Sequence, residues 1–377
     1  MSAAVGMSPL GVVLVDDLAD PPSLCGRPAV DWLLDTVEAL APESVTVVGT
    51  GSVADRLALR PLPTSGDCSV RVLLPCSVPL LRPATVRRLV SLASRGFVVA
   101  ALDRPSPWWA DDAGTESGPV VIAGDFDPSA ASPGPPTIRI DVPEALWLND
   151  PVDRVRAENA LYERIALGWL ARGVAVDDPA TTRIDATVRI GEGARIRPNT
   201  ELVGDTVIGR GSRIGPTTTV RDSRVGEDCL VHYAVCQDVE IGDRANVGPF
   251  TWLRSGTVLG AECRAGAFVE LSDSVIGAGT EVPHLAGLFS ADVGRNCNIA
   301  SMAGSLNFNG GQKRRTRIGD EVSIGSGSIL IAPVSIGDRA ETAAGSVITE
   351  DVPDGALGMS RTAQRNVTGW SSIRRSS

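Results

Sequence analysis

Lys313 is the single lysine in a chain of 377 residues, and it sits in the Gly-rich stretch SLNFNGGQKRRT (305–316). Every other cationic side chain is Arg, apart from His232 and His284. An ammonium is a compact point charge with three donors, whereas a guanidinium is a flat fork. One retained lysine therefore points to an anionic group that must be met by a point charge; chance survival in an Arg-favouring genome is the competing explanation. Lys313-Arg314-Arg315 is also a local basic spot suited to a small phosphate. Two histidines fall one short of a three-His zinc site, so no metal is expected. Asp16-Asp17 could form a carboxylate pair, and GTGS (49–52) a phosphate nest. Both more commonly mark solvated turns.

The formal net charge of −10 disfavours nucleic acid and anionic membrane as partners. No apolar stretch is long enough to span a bilayer, and no basic segment precedes the first apolar run, so a signal peptide is not expected. The seven cysteines are scattered without a CxxC pair. They read as reduced thiols and a cytoplasmic location. His232, Cys297 and the seven tryptophans have no surrounding pattern that lifts them above packing residues.

These groups must be carried by two kinds of element. Residues 1–125 alternate strand-like runs (11–15, 44–49, 70–75, 97–102) with helical ones. Over 27–41, Val30, Leu33, Leu34, Val37 and Leu40 share one face; a second helix spans 83–96. That order predicts an α/β domain with a mainly parallel sheet. Residues 125–137 read as a linker. A helix over 149–173 joins the halves, with Val155, Tyr162, Ile165 and Trp169 as its apolar face. From Ile184 an aliphatic residue recurs every six positions through Ile190, Ile196, Leu202, Ile208, Ile214 and Val220. The pattern returns as Val235, Ile241, Val247 and Leu253, then from Ile318 to Ile348. A six-residue period fits a parallel β-helix with inward-stacked aliphatics, and Gly or small residues at the corners. The expected boundaries are 1–148, a connecting helix at 149–179, the β-helix at 180–358 and a tail at 359–377.

The segments VGPFTWLRSGTVLG (247–260), AGAFVEL (265–271), HLAGLFSADVGRNCNIASMAGSLNFNGGQK (284–313), 318–357 and SRTAQ (360–364) carry a resemblance. Together they resemble the acetyltransferase half of the family that fuses glucosamine-1-phosphate acetyltransferase to N-acetylglucosamine-1-phosphate uridylyltransferase. The resemblance covers about residues 180–370. It implies a left-handed β-helix of hexapeptide repeats, acetyl-CoA as acyl donor, a small-molecule amine acceptor and a homotrimer. It also implies His284 as general base, a role imidazole suits because it titrates near neutrality. Asn307 is implied to orient the reacting groups. Arg254, Glu270, Asn298 and Lys313 are implied at the acceptor, and Ser326, Ala344 and Arg361 along the coenzyme.

Some positions depart from that pattern. Ser272 stands where the family has a second Lys, Gly287 and Phe308 where it has Tyr. The N-terminal half lacks the family's Gly-rich nucleotide loop, and Ser77 falls at a metal-binding Asp, leaving Asn149 as the one retained metal position. A nucleotidyltransferase-like domain without uridylyl transfer is the expectation. The expected function is a CoA-dependent N-acyltransferase acting on an amino sugar or related amine; a non-catalytic trimeric scaffold is the alternative.

Overall fold

The computed structural model describes residues 10–15, 23–48, 57, 60, 63, 70–75, 80–93, 98–101, 117–123, 137–139, 148, 151–308, 311–366 and 368. Asp16-Asp17, the GTGS turn, Ser77, Asn149 and most of the 125–137 segment lie outside them. The chain divides into two units, Met1–Ile165 and Ala166–Ser377.

The first unit holds a six-stranded sheet. Its strands are β1 (Leu10–Val15), β2 (Ser44–Val48), β3 (Val70–Pro75), β4 (Val98–Ala101), β5 (Ser117–Ala123) and β6 (Thr137–Arg139), in the order β2-β1-β3-β5-β4-β6. β1 pairs in parallel with β2 and β3, and β4 with β6; β5 runs antiparallel between β3 and β4. Helix α1 (Ala29–Leu40) buries all five apolar residues its period marks out. Helix α2 spans Pro83–Ala93. Helix α3 (Pro151–Ala171) differs from its expected face, because Val155 is exposed. The buried stripe is Asp153, Ala157 and Leu161, three positions four apart. Val155 lies two residues off that stripe, about 200° around the helix axis.

Asp35 on α1 is gripped by Arg27 and Arg60, with nitrogen–oxygen distances of 2.6 and 2.9 Å. Desolvation alone would raise its pKa, but the two guanidinium hydrogen bonds outweigh it, and the folded value lies below the ordinary 3.8. A depressed folded pKa supplies stability above the unfolded value that is lost as pH falls through the folded one. Acid titration followed by circular dichroism should therefore show a loss of stability below about pH 4 that Arg60→Ala diminishes.

In the second unit a left-handed parallel β-helix runs from Ala175 to Gly358. Its three faces are sheets of ten, nine and eleven strands among the described residues. The first face begins at Arg183–Ile184, the second at Arg189–Ile190 and the third at Ala175–Val176. On the first face Ile184, Leu202, Val220, Cys236, Leu253, Leu271 and Leu288 are successive register partners, all fully buried. Stacked aliphatics remove both sides of every coil from water, at about 25 cal/mol per Å² of apolar surface.

Two sequence expectations need correction here. Val235 is exposed and Cys236 takes the inward place, because the step from Cys236 to the next inward residue, Ile241, is five residues instead of six. Also, the glycine that follows many inward aliphatics is mostly not a left-handed corner, although Gly215 and Gly248 do take positive φ, 95° and 112°. Gly209 keeps negative φ; a Cβ there would strike the carbonyl of Gly226 in the next coil. Close coil-to-coil approach demands that glycine. The left-handed corners are held mostly by larger residues, among them Asp222, Asp228, Asp238, Arg244 and Glu262.

Candidate functional site

His284 closes the third-face strand Glu281–His284, and its register partner one coil back is Ala267. The neighbouring Gly266 is bare because a Cβ would collide with the Pro283 carbonyl, so backbone contact seats the residue just before His284. The imidazole is exposed and has no hydrogen-bond partner among the described residues. The third face meets the first at the next residue, Leu285. Successive coils there place Thr217, Tyr233, Phe250, Phe268, Leu285 and Met302, all with φ between 48° and 59°. Left-handed φ is uncommon for bulky residues. Phe250 and Phe268 stack with ring centroids 5.2 Å apart, Tyr233 leans on Phe250 at 5.7 Å with its ring tilted by 42°, and Phe268 is 59% exposed. This first edge of the prism is therefore an apolar ridge. Farther along, the same positions are Gly327 and Gly345, and the ridge gives way to bare backbone.

Register continues from His284 along that edge. Glu281 pairs with Asn298, Asn298 with Ser323, Ser323 with Glu341 and Glu341 with Leu357. Counting three residues on from each puts His284, Ser301, Ser326, Ala344 and Ser360 in one row. Arg361 follows Ser360 at once. Four strand spacings from His284 to Ser360 make roughly 19 Å. Asn298 lies on the outer side of the third face, one coil from Glu281.

The other candidates gather toward the second edge, where the first face meets the second. Arg254 donates to Glu270 at 2.9 Å and lies over the Trp252 ring at 4.6 Å. Asn307 donates from Nδ2 to Ser290 Oγ at 3.0 Å, and its carbonyl accepts from Arg314 N at 2.7 Å. Residues 307–315 connect the strands Gly304–Leu306 and Thr316–Ile318, and the described ones, 307–308 and 311–315, form the two arms of a loop. The loop lengthens its coil, so that Ser305 has Leu330 as its register partner, whereas Leu271 has Leu288. Phe308 and Lys313 form an antiparallel bridge across it. Lys313 is exposed and has no ion-pair partner among the described residues.

Seven of the nine candidate residues thus fall into two sets on opposite edges of one face. His284, Ser326, Ala344 and Arg361 follow the first edge; Arg254, Asn307 and Lys313 follow the second. Glu270 stands on the first face between them, and Asn298 on the third face, two residues past the corner at Asn296. Along a coil the two edges, Leu285 and Ser290, are five residues apart, about 16 Å of extended chain. A single chain does not bring the imidazole and the base of the Lys313 loop together.

Some participants were not singled out from sequence. Ser301 could have been found by stepping one coil forward from His284, and Ser290 by stepping one coil back from Asn307. Between the edges, the Phe289 ring lies over Gly287: a Cβ there would sit 3.1 Å from Phe289 Cε2. Phe289 is also the register partner of Ser272. The aromatic ring therefore fills space beside both positions where a Lys and a Tyr were implied. Cys297 is buried, its Sγ donating to the Gly319 carbonyl at 3.0 Å, and burial raises its thiol pKa. Burial pushes the Cys236 thiol up to about 12. Neither is a nucleophile at neutral pH. No group of three or more His, Cys, Asp or Glu able to hold a metal occurs among the described residues, and none of their helices is long and apolar enough to cross a membrane.

Two family models match the β-helix. One, described as the GMPPB C-terminal domain, covers residues 180–283; the other, bacterial transferase hexapeptide (six repeats), covers residues 315–350. The chain is 41% identical over 234 residues to the bifunctional protein GlmU of Streptomyces avermitilis, covering 62% of this chain and 48% of that one. It is 45% identical over 223 residues to the GlmU of Mycolicibacterium vanbaalenii, covering 59% of this chain and 45% of that one. The matched stretch spans about half the length of these relatives. Among solved structures, the UDP-N-acetylglucosamine acyltransferase from Campylobacter jejuni is similar at 16% identity, with a TM-score of 0.32, covering 54% of this chain and 76% of that one.

Proposed function

We propose, for a chain that is a GlmU-like member of the hexapeptide-repeat proteins, that it is an acyltransferase moving acetyl from acetyl-CoA to the amine of a small acceptor. The observation that carries this reading is the row His284, Ser301, Ser326, Ala344 and Ser360 on one edge. An extended thioester laid along it would have its phosphate end at Arg361 and its carbonyl at His284. The acceptor nitrogen attacks that carbonyl while His284 takes the departing proton. The tetrahedral oxyanion is steadied by a backbone N–H, a contribution of about 2.7–4 kcal/mol per donor. It collapses with cleavage of the C–S bond, and the thiolate leaves as CoA after accepting a proton.

In this proposal Asn307 orients the acceptor, Lys313 and Arg254 meet its anionic part, and Glu270 holds Arg254. Asn298 lines the acceptor from the third face. Because the two sets of residues lie on opposite edges, the site is completed by a neighbouring copy whose Lys313 loop reaches the first edge. The exposed ridge from Tyr233 to Met302 supports a homotrimer, since it gives apolar surface that a copy would cover. Phe289 over Gly287 supports an acceptor other than a bare sugar phosphate, an amino sugar or related amine with an apolar surface. We place the protein in the cytoplasm, in keeping with the five free buried cysteines among the described residues, and we assign its N-terminal unit no uridylyl transfer.

The test is thiol release from acetyl-CoA by the purified chain with a panel of amines that includes glucosamine-1-phosphate. Acceptor-dependent release is expected. No release with any amine, together with no CoA binding by calorimetry, would leave the non-catalytic scaffold.

A further inference from the structure

The run Lys313-Arg314-Arg315 presents three cations in sequence, but the structure uses them differently. The Arg315 guanidinium makes five hydrogen bonds to two aspartates of earlier coils. Nε reaches both Asp292 oxygens at 3.2 and 3.1 Å, and Nη2 reaches Asp292 Oδ1 at 2.7 Å. Nη1 donates to Asp273 Oδ2 at 3.1 Å, and Nη2 also to the Asp273 carbonyl at 3.1 Å. Arg315 is the last residue of the inserted loop, directly before the strand Thr316–Ile318. At the loop's other end Asn307 is tied to Ser290, and Arg314 N closes onto the Asn307 carbonyl. Both arms are thereby fixed to the prism, and the Phe308–Lys313 bridge holds them side by side.

These ion pairs are half-exposed, with side-chain exposures of 37% for Arg315, 44% for Asp292 and 60% for Asp273. Pairs this wet contribute little to global stability. A planar fork bound at five points nevertheless fixes direction far better than a single contact does. The arrangement suits aiming the loop more than holding the fold. Lys313 and Arg314 have no ion-pair partner among the described residues, so their charge is left for a ligand.

We propose that Arg315 is a positioning residue: clamped by Asp273 and Asp292, it sets the loop so that Asn307 and Lys313 meet the acceptor. This rests on the acyltransferase reading above. It predicts a selective defect, since the proposed coenzyme row lies on the opposite edge.

The experiment compares the full-length chain with Arg315→Ala, Arg315→Lys and Asp292→Asn. It follows tryptic cleavage after Lys313 and Arg314 by mass spectrometry, the acceptor KM against kcat, CoA affinity by calorimetry, and Tm. For Arg315→Ala, loop cleavage and acceptor KM should each rise about tenfold or more, the size of one lost charge-assisted hydrogen bond. CoA affinity and Tm should hold. Asp292→Asn should move in the same direction by less, and Arg315→Lys should recover part of the loss. Unchanged loop cleavage in Arg315→Ala while the wild type turns over would overturn the clamp. Faster cleavage with an unchanged acceptor KM would overturn its positioning role. A wild type that releases no thiol with any amine instead overturns the acyltransferase reading, and the positioning role with it.

Discussion

His284→Ala should lower acceptor-dependent thiol release by about 10²–10⁴-fold, the range for losing a positioned general base. Coenzyme A affinity should remain near wild type. The imidazole ends the strand Glu281–His284 on the surface, with no hydrogen bond to the protein among the described residues, so its removal leaves no buried partner unsatisfied. The backbone that seats it, Pro283 against Gly266, is untouched by the substitution. A fall in kcat with CoA affinity and Tm retained is therefore the outcome of losing a base. Equal loss of CoA affinity would instead make His284 a binding residue, and unaltered thiol release would remove it from the mechanism.

The largest stability effect is expected inside the prism. Leu271 is fully buried, with Leu253 as its register partner on one side and Leu288 on the other. Leu271→Ala should destabilise the β-helix by about 3–5 kcal/mol, because coils tied by backbone ladders on three faces cannot collapse into the cavity. For a unit of this size that is a fall in Tm of roughly 6–20 °C. Calorimetry would check it. A change below about 1 kcal/mol would mean that neighbouring coils relax freely. The half-exposed ion pairs between coils, such as Arg244–Glu262 at 2.9 Å, should matter far less, about 0.2–1 kcal/mol each.

The inward positions were readable because they are set by a short period. Every sixth residue from Ile184 to Val220 must be apolar wherever the chain turns after six residues, and the faces realise that reading. Helix α1 was legible for the same reason, its five apolar residues lying within three turns. The reading slipped at Val235, because the step from Cys236 to Ile241 is five residues and a strict six-residue count back from Ile241 lands on an outward residue. It slipped again at Val155, because a helix with several apolar positions offers more than one stripe and only packing selects Ala157 and Leu161.

By itself, then, the sequence determined the α/β-then-β-helix order and most of the inward columns, since each depends on neighbours within one coil. It also carried the resemblance that marks His284, Asn307 and Lys313. The tertiary structure alone decided which residues share an edge. That placement accumulates through coils of unequal length, from the short one between Val220 and Cys236 to the long one between Ser305 and Leu330. Residues as distant as His284 and Ala344 therefore align only once every intervening coil has its actual length. The same accumulation sets the Lys313 loop on the opposite edge. It also turns Arg315, one of three adjacent cations in sequence, inward onto Asp273 and Asp292.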